Sequence, residues 1–232
     1  MTTLRGLSHV LIVASVIGPA AARAHDFWIE PSTFAPEVVS TVRVRLRVGE
    51  NFAGEAVRRD PAKIASFVAV RAASEPEEIV APAGMEPAGF YRVTASGSLV
   101  LGYRSLRTPI RLDAGKFNEY LAFEGLDPVV AARNERGETQ APGREVFSRC
   151  AKSVLQAGGE GGPGFDHRFG WPLELVPLAD PATLGSGDSL PVLVLRDGQP
   201  IEGVLVAARS AARPDRRLTS RSDSEGLSPS TR

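Results

Sequence analysis

Apolar and polar positions alternate most cleanly from Thr41 to Val48. Val42, Val44, Leu46 and Val48 fall on one side and Arg43, Arg45 and Arg47 on the other. A period of two is the mark of a half-buried strand, so this stretch predicts an antiparallel sheet laid over a core. Ile64 to Arg71 predicts a second strand, and Phe90–Ala95 with Leu99–Tyr103 a hairpin about Ser96-Gly97-Ser98. Gly49 to Glu55 reads as a loop, and Pro31 and Pro36 break up the lead-in from Phe27 to Glu37.

From Ala114 to Gln156 the period becomes helical. Phe117, Tyr120, Leu121 and Glu124 share one stripe, and Pro128 is placed to start a second helix through Val129, Val130 and Ala132. A third helix is expected from Arg144 to Leu155, with Val146, Phe147, Cys150, Ala151, Val154 and Leu155 on its apolar face. The glycines from Gly158 to Gly164 then read as a linker, because a phosphate-binding loop would need a Lys-Ser/Thr ending. Strands return at Leu173–Leu178, Leu190–Leu195 and Ile201–Ala207, with Asp197-Gly198 the strongest turn signal in the chain.

These elements predict a mainly β protein: an antiparallel Ig-like β-sandwich over residues 25–157 with a helical insertion at about 114–157. A linker at 158–170 and an incomplete second β-sandwich module at 171–209 follow. The last stretch, 210–232, has only Leu218 and Leu227 as large aliphatics, so it is expected to be disordered, from a truncated or frame-shifted reading frame.

The start of the chain changes the picture. Arg5, the apolar run Leu11–Ala22 and the small residues Ala22 and Ala24 make residues 1–24 a signal peptide, which implies a periplasmic or secreted protein. Cleavage after Ala24 removes Arg5 and Arg23 from the 27 basic residues, leaving 25 against 27 acidic ones, a net of −2. That balance gives no reason to expect a nucleic-acid partner, and no later run is long and apolar enough to predict a membrane span. Cys150 is the single cysteine, so no internal disulfide is expected, and it reads as a small buried hydrophobe.

Cleavage at that point would make His25 the first residue, with its α-amine and imidazole on one residue. Two nitrogens so placed close a six-membered chelate ring, a set suited to copper, nickel or zinc. Asp26 and Glu30 lie close by with carboxylate oxygens, and His167 is the only other histidine beyond the leader. His25, Asp26 and His167 are therefore the candidate ligands of a divalent transition metal ion. The arginine row of Arg43, Arg45 and Arg47 is first of all a solvated face and only second an anion-binding stripe. No His-Glu-x-x-His, Gly-x-Ser-x-Gly, Walker or dinucleotide motif is present, so an enzyme is not expected.

Several segments carry a resemblance. They include His25-Asp26-Phe27-Trp28-Ile29-Glu30-Pro31, Val42–Gly49, Leu101–Ser105, Lys116–Leu121, Gly143-Arg144-Glu145 and Trp171-Pro172-Leu173-Glu174-Leu175-Val176-Pro177. The chain from His25 to about Ala208 resembles a bacterial exported, uncharacterised-domain family grouped with periplasmic components of cobalt and nickel uptake systems. The resemblance implies a β-rich, two-module envelope protein that handles divalent metal, with membrane metal-transporter components as partners. Two other readings stay open: an envelope scaffold or adhesion module without metal, and a copper enzyme built on an N-terminal histidine brace.

Overall fold

A computed structural model describes residues 26–185 and 187–228; the leader 1–24 and His25 lie outside the described residues. The fold is mainly β, with antiparallel sheets and, among the described residues, two α-helices. The first sheet holds β1 (Asp26–Pro31), β2 (Thr41–Glu50) and β3 (Ala53–Val57) in that order, with β6 (Gly89–Arg92) also paired to β2. The second sheet runs β10 (Cys150–Ala157), β7 (Gly97–Ser105), β4 (Ile64–Arg71) and β5 (Glu77–Glu78).

The two sheets form a β-sandwich-like body around one core, in which Ile29, Val42, Val44 and Leu46 of the first meet Phe67, Ala69, Leu99, Leu101 and Leu155 of the second. The alternation along β2 thus turns its apolar side inward, as expected. Its arginines are not left loose. Arg45 pairs with Glu86 at 3.0 Å and Arg47 with Glu30 at 2.8 Å, while Arg43 is exposed. The segment expected to be a loop after β2 is a tight hairpin into β3, with Asn51 and Phe52 both at positive φ.

Two helices follow β8 (Thr108–Leu112). They are α1 (Ala114–Phe123), which buries Phe117 and Leu121, and α2 (Asp127–Glu135), which has Pro128 in its first turn. The helical stripe read from the sequence is the face α1 buries. Buried Arg133 of α2 ties the unit together. It donates to the carbonyls of Glu138 and Ala141, each at 2.7 Å, and its guanidinium lies 4.9 Å from the Phe117 ring centre.

The expected third helix is not one. Arg144–Leu155 forms β9 (Gly143–Phe147), paired with β8, and then β10, paired with β7 along its whole length. Cys150 therefore sits on a strand, half-buried, and not on a helical face. The expected hairpin from Phe90 to Tyr103 is also a crossover instead. Phe90 pairs with β2 in one sheet and Tyr103 with β4 and β10 in the other. Alternation cannot separate these two outcomes, because both strands turn their apolar sides to the same core.

Residues 158–170 are tied down and do not hang free between modules. The Gly158 N–H donates to the Pro36 carbonyl, Ser98 Oγ to the Gly162 carbonyl, and the Gly162 N–H to Asp180 Oδ2. Beyond them β11 (Leu173–Pro177), β12 (Val192–Arg196) and β13 (Gln199–Pro200) form a third sheet, joined by β16 (Leu227–Ser228) on β12. Asp197 and Gly198, both at positive φ, make the two-residue turn read from the sequence.

The stretch expected to be disordered forms strands as well. β14 (Leu205–Ser210) pairs with β15 (Arg213–Arg221), and β16 lies within residues 210–228. Its composition is too polar for a core strand, yet its arginines find partners outside the hairpin. Arg221 meets Asp127 at 2.6 Å, Arg209 meets Asp26 at 3.0 Å, and Arg217 stacks 4.6 Å over Phe123.

Candidate functional site

Five segments far apart in sequence line a cavity of about 780 Å³: the start of β1, β8, the end of α1, the run from β9 into β10 and the Trp171–Leu175 stretch. Its walls are largely apolar, from Phe27, Ile110, Leu112, Phe147, Trp171 and Leu173. Its polar groups are Tyr120, Glu124, Glu145, Ser148, Arg149, Cys150, Lys152 and Glu174. A volume of this order suits a small organic molecule and far exceeds that of a bare ion.

One wall is braced by an ion pair. Glu174, its side chain 1% exposed, meets Lys152 Nζ at 2.6 Å and accepts the backbone N–H groups of Phe169 at 2.6 Å and Gly170 at 3.1 Å. Burial works against the Glu174 charge, but the Lys152 ammonium and these N–H donors outweigh it and hold the carboxyl below its usual range. Lys152 also donates to the carbonyls of His167 at 2.8 Å and Leu175 at 3.2 Å. Burial depresses its pKa, and Glu174 pulls it back up.

The same residues fix an aromatic stack. Phe169 and Trp171 lie parallel, with centroids 4.4 Å apart and planes 9° from each other. Phe169 covers Gly102 of β7, where any larger side chain would overlap its ring. The Trp-Pro-Leu-Glu-Leu-Val-Pro segment singled out in the sequence is thus a clamp that seals the outer face of the second sheet.

On the opposite wall the Tyr120 hydroxyl donates to Glu145 Oε1 at 3.1 Å, and burial followed by the Glu145 charge pushes the phenol far above its usual range. Glu124, at the C-terminal cap of α1, has its carboxyl raised by burial and then by the charge of Asp26, against opposing Arg217 and Arg209. Burial likewise raises the Cys150 thiol, with Arg104 opposing, so Cys150 is held as an unreactive thiol.

Arg149 differs from its neighbours. Its guanidinium lies 5.2 Å from the Phe27 ring centre and 5.3 Å from that of Phe147, and among the described residues only its backbone enters hydrogen bonds, to Ser105. A guanidinium held beside two rings without a hydrogen-bond acceptor keeps its N–H donors available for a ligand.

The predicted ligand residues are placed as follows. Asp26 opens β1 beside the cavity-lining Phe27 and is ion-paired with Arg209. His167 packs edge-on to Phe169 at 4.6 Å between ring centres; burial and then Lys152 lower its pKa, keeping the imidazole neutral. Neither lines the cavity. Among the described residues no three His, Cys, Asp or Glu side chains group into a metal site, and His25 lies outside them. Sequence reading picked out Glu124 only as part of a helix stripe and passed over Lys152 and Arg149, whose only signal is their place in a strand read as a helix.

No helix among the described residues is long and apolar enough to cross a membrane. A comparison with curated proteins finds no match. A family model described as a domain of unknown function, DUF4198, matches residues 22–228, nearly the whole chain, and the protein belongs to that family.

Proposed function

We propose that this is a divalent metal-binding protein of the cell envelope, periplasmic or secreted. It holds nickel, cobalt or copper through the α-amine and imidazole of a mature N-terminal His25 and delivers the ion to membrane transporter components. The observation that carries the reading is the start of β1. Asp26 is its first residue, Phe27 lines the cavity, and the Glu124 carboxyl on α1 feels the charge of Asp26. A chain that begins at His25 would carry its two nitrogens on the residue next to the Asp26 carboxylate. Nitrogen chelation completed by one or two oxygens suits these borderline ions better than calcium or magnesium. The resemblance to components of cobalt and nickel uptake systems supports the same class of cargo.

The test begins with the exported protein, whose mass should correspond to a start at His25. Titration with nickel and copper should then show His25→Ala weaker by about a hundredfold, and Glu124→Gln by about tenfold, in line with losses of direct and supporting ligands. Unchanged affinity in His25→Ala, or a start at another residue, overturns the reading.

A further inference from the structure

The cavity contains a feature that metal binding at its mouth does not use. Its two lining cations are Lys152 and Arg149. Lys152 is held by Glu174 at 2.6 Å, and of the other lining carboxylates Glu145 accepts the Tyr120 hydroxyl at 3.1 Å. Among the described residues Arg149 has no carboxylate partner and no side-chain hydrogen bond, and its guanidinium lies beside the Phe27 and Phe147 rings. A guanidinium so held loses little rotational freedom on binding, and its planar fork matches the two oxygens of a carboxylate. The surrounding walls, among them Ile110, Leu112, Trp171 and Leu173, offer an apolar compartment for the rest of the molecule.

We infer that the cavity binds a small organic carboxylate with an apolar body, its carboxylate seated on the free edge of Arg149 and its body against Leu112 and Trp171. The two readings can fail separately: the metal is proposed on His25 with Asp26 and Glu124, the carboxylate on Arg149, Leu112 and Trp171. The carboxylate exchanges water for two charge-assisted hydrogen bonds in a largely apolar setting, where such bonds are at their strongest.

The probe is 4-phenylbutyrate, titrated calorimetrically into the purified, metal-free protein, with 4-phenylbutylamine and 4-phenylbutanol as cationic and neutral counterparts of the same body. The carboxylate should bind, and the amine and alcohol should bind at least about tenfold more weakly. Arg149→Gln should weaken the carboxylate by about tenfold or more and leave the alcohol unchanged, while Arg149→Lys should restore only part of the loss. Leu112→Trp, which fills the compartment and leaves Arg149 intact, should abolish binding of all three, and it decides the matter if Arg149→Gln does not fold. Three results overturn the inference: no binding of 4-phenylbutyrate, tighter binding of the amine, or carboxylate affinity unchanged in the folded Arg149→Gln and Leu112→Trp proteins.

Discussion

Lys152 and Glu174 meet at 2.6 Å with side chains 13% and 1% exposed, joining the strand β10 to β11 across the wall of the cavity. Removing one partner of such a pair strands the other in a poorly solvated place. Glu174→Gln should therefore destabilise the protein by about 3–5 kcal/mol, read from the midpoint of urea unfolding. Replacing the pair by Lys152→Met with Glu174→Leu should recover part of that loss, though the N–H groups of Phe169 and Gly170 would still lack an acceptor.

Acid should act on the same pair. Glu174 has a folded pKa below its ordinary 4.5, so it contributes stability that is fully present above pH 4.5 and is lost as pH falls through the depressed value. His167 is also depressed, from 6.5, and its contribution fades as pH falls below that point. Melting temperature followed from pH 7 to pH 3 should fall progressively, and the fall below pH 4.5 should be shallower in Glu174→Gln.

Gly102→Ala should cost about 1–3 kcal/mol, because the added methyl overlaps the Phe169 ring and forces it off its seat. Trp171, stacked on Phe169 at 4.4 Å, reports the shift. Its near-ultraviolet circular dichroism should weaken in Gly102→Ala and stay unchanged in the control Gly115→Ala, which meets open space.

Limited trypsin digestion checks the polar C-terminal hairpin. Arg217 lies in β15 over the Phe123 ring and Arg221 pairs across to Leu205 of β14, so both should resist cleavage under conditions that cut an unfolded tail at once. Asp127→Ala removes the exposed ion pair to Arg221 and should change global stability by less than about 1 kcal/mol.

The parts of the fold legible in the sequence are those with one wet face. β2 shows its alternation because Arg43, Arg45 and Arg47 stay outside, and α1 shows its stripe because only Phe117 and Leu121 are buried. β10 was hidden because both its faces are covered. Ser153, Leu155 and Ala157 face the core, whereas Lys152 on the other face lies beneath Phe169 and Glu174. A strand covered on both sides loses its period of two, and what remains in Arg144–Leu155 can be read as helical. The cavity was illegible for a different reason: its walls come from five separated segments, and no local spacing joins Phe27, Tyr120, Arg149 and Trp171. The β14–β15 hairpin went unread because ion pairs and cation–π contacts to other elements hold it, and these leave no hydrophobic pattern.

The buried Ser153 hydroxyl donates to the Ile29 carbonyl at 3.1 Å across 124 positions of chain. That bond lies on the seam where β1 of one sheet comes against β10 of the other. A ribosome must therefore deliver nearly two thirds of the polypeptide before the first strand can be closed in on that side. Until then the Ile29 carbonyl lacks this donor, and the seam between the two sheets at β1 closes only once β10 has emerged.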